Sequence, residues 1–327
     1  MLLLRLFKNI RTGGFFFVAL IALLTFLVSI ISHPEPVQWS GMPLYNLFFE
    51  ELYRIPLLSY FIALLLNLGN SFILIRINFR YSLVEDKTYV PAILYLIIVN
   101  AFPSLHTVNP MLVGSLFYLL SFTMIINAHE DPPDSYNIFK ASLVLFIGML
   151  FYAKLIWFVP VIWLIILTIR PVSWREMVFP IVAGLFVGVT LFTFYWVFQD
   201  AGWKFSSVLR ENLSFEHSQT KVHISKIVFV AYILILVLIA SANIITRFQA
   251  KKIITRNIYQ VFLYMFLFSF VFYFLISRYQ LGSIYFMAIP LAYLLTSYFQ
   301  QKAYTLIKEI LIWGLIGLAI YVQISAI

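Results

Sequence analysis

Polar positions are scarce along the chain and gather in short clusters; between them run apolar stretches whose length, rather than any strict alternation, carries the structural information. Apolar windows near 14–32, 55–75, 89–105, 110–127, 141–153, 155–169, 177–198, 226–246, 258–276, 283–299 and 307–325 predict helices. Several approach the roughly 20 residues that a helix needs to cross a bilayer. Pro91 and Pro110 stand where the first turn of a helix tolerates a missing N–H. The stretch "RPVSWRE" after Ile169 reads as a loop, and Pro160 and Pro290 fall inside apolar runs and predict kinks. No internal repeat or low-complexity tract interrupts the pattern.

One run is ambiguous. Residues 141–169 are apolar apart from Lys154 in "FIGMLFYAKLIWFVPVIW". A single helix there would be roughly 43 Å long at 1.5 Å per residue, against a hydrocarbon core of about 30 Å. Either one strongly tilted helix buries a lysine, or two short helices turn at Lys154. Charge decides between them, because every loop downstream changes sides. With a turn and the N-terminus inside, the outer cations are Arg54, Lys154, Lys204, Arg210, Lys221, Lys226 and Arg278; these seven leave 15 of the 22 inside. With one helix the tally becomes 12 inside and 9 outside, Lys154 lying within the membrane. The excess of Lys and Arg expected on the cytoplasmic side favours two short helices.

Composition makes the class plain. Of the 327 residues 63% are hydrophobic and 11% charged, and the mean hydropathy is +0.97; a soluble domain with a polar surface does not have this balance. The expectation is an all-α polytopic helix bundle of about eleven membrane segments, forming a single integral membrane domain over 1–327. The net charge of +9 is spread over short loops, where it meets lipid headgroups rather than nucleic acid. Arg5, Lys8 and Arg11 before the run at 15–31 imitate a secretory signal, but the run is long and ends in "SIISHPEP" without a small-x-small cleavage site, so it reads as an uncleaved first helix. With no cysteine there are no disulfides, thiolate metal sites or cysteine nucleophiles.

This topology places three features outside: the loop 33–54, the turn 105–110 and the loop 199–226. Four histidines lie there, His33, His106, His217 and His223. In the first loop, Leu44, Leu47, Phe48, Leu52 and Ile55 recur near helical spacing, with Glu50, Glu51 and Arg54 mainly on another face; this predicts an amphipathic helix lying in the interface. Glu35, held between two prolines, is a candidate general base, with His33 or His106 as its partner. The alternative is an ordinary loop acid. The outer histidines with Glu35, Glu211 and Glu216 show no metal-ligand spacing, so neither metal nor cofactor is expected. Lys154 either snorkels to the interface or turns inward to bind a lipid phosphate or a carboxylate; Arg278 has the same two readings, and together they would form a phosphate-binding pair. Asn67, Asn70, Asn100 and Asn243 lie within apolar runs, where interhelical hydrogen bonding is their expected role.

From Ala101 to Arg175 the order "AFPSLHTVNPMLVGSLFYLLSF", a polar inner loop, then "ASLVLFIGMLFYAKLIWFVPVIWLIILTIRP" resembles the polytopic GT-C glycosyltransferases. The whole chain, notably "SLVEDKTYVPAILYLIIVNAFPS", is similar to an uncharacterised bacterial multi-pass family carrying a domain of unknown function. The GT-C resemblance implies sugar transfer from a polyprenyl-phosphate-linked donor at the outer face of the bacterial inner membrane. It assigns a first-loop acid as base or metal ligand. Here "WSGMPLYN" holds no acid, Glu35 preceding it and Glu50 following it. Two functions therefore stand: a GT-C-like transferase with Glu35 as base, His33 or His106 as helper, and Lys154 and Arg278 on the phosphate; or a non-catalytic scaffold or subunit of a cell-envelope complex that engages a membrane-protein partner through its outer loops. Membrane lipids are partners in both. A transporter is a weaker reading, because the apolar runs hold no acidic or paired-charge pathway.

Overall fold

The computed structural model describes residues 14–32, 42–84, 88–128, 136–169, 173–199, 202–213, 224–246, 252–277, 280–301 and 305–325, the side chains of 28–32, 53, 198–199, 202–205 and 305 apart. All regular structure among them is helical. In chain order the helices are α1 (Gly14–Ser32), α2 (Pro43–Phe49), α3 (Pro56–Tyr81), α4 (Val90–Asn100), α5 (Pro110–Asn127), α6 (Tyr136–Met149), α7 (Val159–Ile169), α8 (Trp174–Gln199), α9 (Gly202–Leu213), α10 (Ile224–Thr246), α11 (Ile253–Val271), α12 (Ile284–Phe299) and α13 (Thr305–Ile324). Four 3-10 segments, Glu50–Arg54, Pro103–Leu105, Ala153–Phe158 and Leu281–Ser283, tighten the connections, and a π-helical turn, Phe272–Ile276, extends α11. Seven helices are long and apolar enough to cross a membrane, and four shorter apolar ones accompany them: Gly14–Leu27, Val90–Asn100, Tyr136–Met149 and Ala153–Ile169.

The centre of the bundle is α12. Its sequence, IYFMAIPLAYLLTSYF, has no polar face, and every one of its residues is buried, as expected of a helix that is apolar all round. It packs on α4, α10 and α11 and touches α5; α3 packs on α4 and α5, and α13 on α10 and α4. The opposite case is α8, whose Ile181, Leu185, Phe186, Val189, Phe192 and Trp196 are apolar yet exposed. An apolar surface of that extent needs an apolar solvent, which fits a helix bundle immersed in lipid.

Helix ends alternate between two faces. At one, Tyr45 of α2 donates to the Val108 carbonyl (3.1 Å), the Val108 N–H donates to Ser59 Oγ (3.0 Å), Tyr285 donates to the Leu105 carbonyl (2.6 Å), and Ser325 joins Ser225 (2.8 Å). At the other, Tyr259 donates to the Leu83 carbonyl (3.0 Å), Tyr81 to Asn127 Oδ1 (2.7 Å), and Lys308 to the Gln301 carbonyl (2.9 Å). The first face gathers the described parts of all three loops expected outside, together with Lys154, and is called here the Lys154 end.

Three sequence expectations change. The run 141–169 is broken, as the charge count favours, but the break covers 150–152, and Lys154 follows it inside a 3-10 segment. Pro160 occupies the first turn of α7, where its missing N–H leaves no hydrogen bond unmade, so it starts a helix instead of kinking one. The stretch "RPVSWRE" is only partly loop. The Ser173 N–H donates to Glu176 Oε2 at 3.0 Å, half of a capping box that opens α8 at Trp174.

A polar stripe runs down the buried face of α3 through Asn67, Asn70, Ser71 and Asn78. Asn70 Nδ2 donates to the Tyr95 hydroxyl (2.9 Å) and to Ser115 Oγ (3.1 Å). The Tyr95 hydroxyl in turn donates to Asn67 Oδ1 over a long 3.4 Å. These bonds tie α3 to α4 and α5, the role expected of the asparagines. Tyr95→Phe keeps the volume and leaves two buried amides short of partners. The expected loss is about 1–2 kcal/mol, read as a lower melting temperature in detergent; a melting curve identical to the parent's would remove this network from the stability account.

Candidate functional site at the Lys154 end

The turn that carries Lys154 is built by two glycines and two large anchors. Helix α6 ends where the N–H groups of Phe151 and Tyr152 both donate to the Gly148 carbonyl (3.0 Å each). In the 3-10 geometry that follows, residues three apart share an edge, so Leu155 and Phe158 point the same way, and both are fully buried. Leu155 lies over Gly114 of α5 and Gly148 of α6; a Cβ on either would stand 3.2 or 3.0 Å from its Cδ1. Phe158 enters a cluster of rings with Tyr118 (4.7 Å), Phe272 (4.8 Å) and Phe286 (4.9 Å).

Lys154 and Trp157 occupy another edge of the same segment. Trp157 is 41% exposed, whereas Lys154 is only 6% exposed. Helix α9 packs against the 153–158 segment and against α8. It is an amphipathic helix whose Val208, Leu209 and Leu213 are half-buried while Ser206, Ser207, Arg210 and Glu211 face outward. The cation thus sits in the protein, in a connection that α9 helps to cover, and does not snorkel freely.

The neighbouring connection is the one that contains Arg278. Arg278 itself lies outside the described residues, but its flanks are clear. Ser277 Oγ donates to Ser283 Oγ (2.9 Å), and Phe286, just beyond, stacks on Tyr152 at 6.0 Å. The Tyr152 hydroxyl lies near Ser277 yet is buried without a hydrogen-bond partner. The Lys154 connection therefore adjoins Ser277, the residue directly before Arg278, with the buried Tyr152 hydroxyl between them.

His106 is placed differently. It is fully buried, stacked on Phe26 of α1 at 4.4 Å with 14° between the rings, and its Nε2 lies 3.2 Å from the Asn100 carbonyl oxygen. That oxygen, at the C-terminus of α4, also accepts from Gln323 Nε2 at 2.5 Å. Burial pushes the imidazole pKa down to about 4, against a smaller upward pull from the Asn100 carbonyl. His106 is thus a neutral ring that fastens the 101–109 turn to α1 and α4. His33, Glu35, His217, His223 and Glu216 lie outside the described residues. Among the described residues no three His, Asp or Glu side chains group as metal ligands do.

A family model covers most of this geometry: the family of unknown function DUF6427 matches residues 44–327. The chain belongs to this family. No curated protein and no solved structure matches it. The DUF6427 match begins inside α2 and takes in both the Lys154 and the Arg278 connections, while His33 and Glu35 precede it.

In this DUF6427 site α9 has a signal in the sequence and the two glycines do not. The loop 199–226 contains α9, whose apolar Phe205, Val208, Leu209 and Leu213 recur at helical spacing. Gly114 and Gly148 each precede a buried packing position, but a glycine in an apolar run has no pattern that names its neighbour. The amphipathic helix of the first loop is present as α2 and its 3-10 extension, with a refined orientation: Leu47 and Phe48 are exposed, while Met42 and Tyr45 face the protein.

Proposed function

We propose that the Lys154 end faces outward from a bacterial inner membrane, with the N-terminus cytoplasmic, and handles lipid-linked sugars there as a GT-C-like transferase. The seven long helices and four short ones would then make eleven membrane segments. Seven cations, Arg76, Arg80, Lys140, Arg175, Lys252, Arg256 and Lys308, lie toward the opposite end among the described residues, and the positive-inside preference supports that orientation.

The observation that carries the reading is the burial of Lys154 in a connection that adjoins Ser277, the residue directly before Arg278. Two cations at a lipid-accessible depth would hold the phosphate of a polyprenyl-phosphate sugar. Glu35 would take the proton of an acceptor hydroxyl, whose oxygen attacks the anomeric carbon. The bond from that carbon to the phosphate oxygen breaks, its electron pair leaving with the phosphate, where Lys154 and Arg278 stabilise the charge. His33 stands close enough in sequence to orient Glu35; His106 acts through the turn it fastens. Glu35→Gln is expected to lower transfer by about 10²-fold or more, the range of lost general-base catalysis, seen as loss of the product glycolipid in cells. Unchanged glycolipid and glycan profiles would end the assignment of Glu35.

One observation favours the scaffold reading. The described carboxylates at this end, Glu50, Glu51 and Glu211, are all exposed, and none is set in a pocket as a catalytic base is. Repeated purification of the protein alone in mild detergent would count against a scaffold, and a constant co-purifying membrane protein would favour it.

A further inference from the structure

Between α1 and the first half of α3 lies a groove of about 620 Å³, within the roughly 300–1,000 Å³ of small-molecule sites. Leu23 and Phe26 of α1, Ile55 just before α3, and Leu58, Phe61 and Leu64 of α3 line it. Phe26 is the buried floor, the ring whose other face carries His106, while Leu23, Leu58 and Phe61 are exposed rims. Apart from Tyr60, every lining residue is aliphatic or phenylalanine.

Depth and charge together point to the occupant. From Ile55 to Leu64 the chain rises about 14 Å, and a bilayer core is about 30 Å thick, so the groove is one leaflet deep, the depth of a single lipid chain. At the mouth stands Arg54, directly before Ile55 and 78% exposed, paired with Glu51 at 3.3 Å on the same turn. An exposed pair of this kind is weak, and a lipid phosphate competes with it readily.

We infer that this groove is a binding site for one acyl chain of an anionic phospholipid from the leaflet at the Lys154 end, with the lipid phosphate on Arg54. The site does not rest on the transferase reading; it would hold for a scaffold equally.

The test uses the full chain in nanodiscs containing phosphatidylglycerol or phosphatidylcholine with a photoreactive acyl chain, and mass spectrometry to map labelled residues. Phosphatidylglycerol is expected to label Leu23, Leu58 and Phe61 above Leu185 and Val189 on the exposed face of α8. Arg54→Gln should lower that labelling about fivefold, the worth of one cation at an anionic lipid surface, and leave phosphatidylcholine labelling unchanged. Leu58→Trp, an exposed position that tolerates the larger ring, should lower both. Equal labelling of groove and α8, no labelling of the groove because protein fills it, or indifference to Arg54→Gln would each overturn the site.

Discussion

Gly148→Val is expected to melt well below the parent protein. A Cβ at position 148 would stand 2.5 Å from the Cβ of Phe117 on α5 and 3.0 Å from Leu155 Cδ1. The Phe117 Cβ is tied directly to its backbone, so relief requires α5 and α6 to separate, and no rotamer change suffices. Overpacking of this sort costs about 1–3 kcal/mol, and valine adds two methyl groups to the contact. The proper comparison is Gly188→Val on α8, where a Cβ meets nothing within 4 Å and valine is a better helix former than glycine. Thermal unfolding of both in one detergent decides the matter: the account predicts a large drop for the first and little or none for the second. Coincident curves would mean that the α5–α6 contact does not set the Lys154 turn.

Lys154→Met should separate folding from function. Methionine keeps the length of the apolar stem and needs no solvation, so the buried volume is retained. A melting curve recorded beside the transfer assay keeps the two effects apart. If Lys154 stabilises charge on a departing phosphate, sugar transfer falls by about 10²–10³-fold, the usual effect of removing one donor aimed at a developing anion. Product glycolipid from cells carrying each variant, compared at equal protein levels, gives the answer. Lys154→Arg keeps the charge but not the shape, and should retain part of the activity. Parental product levels in Lys154→Met would leave the lysine a structural role only.

Much of the architecture was legible because membrane burial writes long apolar runs into a sequence. Among the described residues the apolar windows fall on seven helices long and apolar enough to cross a membrane and on four shorter ones, Pro91 and Pro110 open helices as expected, and the charge count chose the broken form of 141–169. Contacts between distant elements were not legible. Nothing near His106 announces that its ring lies on Phe26, eighty residues earlier, because Phe26 is one of 34 phenylalanines and no local pattern singles it out. The sequence left Lys154 either snorkelling or turned inward, since its neighbours are all apolar; its burial comes from the way the 153–158 segment is seated among α5, α6 and α9. Pro160 misled for a related reason. The apolar run continues across it, and only the turn at 150–152 makes it the start of a helix.

The central claim is that the Lys154 end binds a lipid phosphate. The most direct measurement is binding of a short isoprenyl monophosphate to the full chain in nanodiscs, with the matching isoprenol as the control lacking phosphate. The account predicts saturable binding of the monophosphate that weakens as salt rises, little binding of the alcohol, and about a tenfold or greater loss of affinity in Lys154→Met. Equal binding of alcohol and phosphate, or undiminished binding in Lys154→Met, would contradict it.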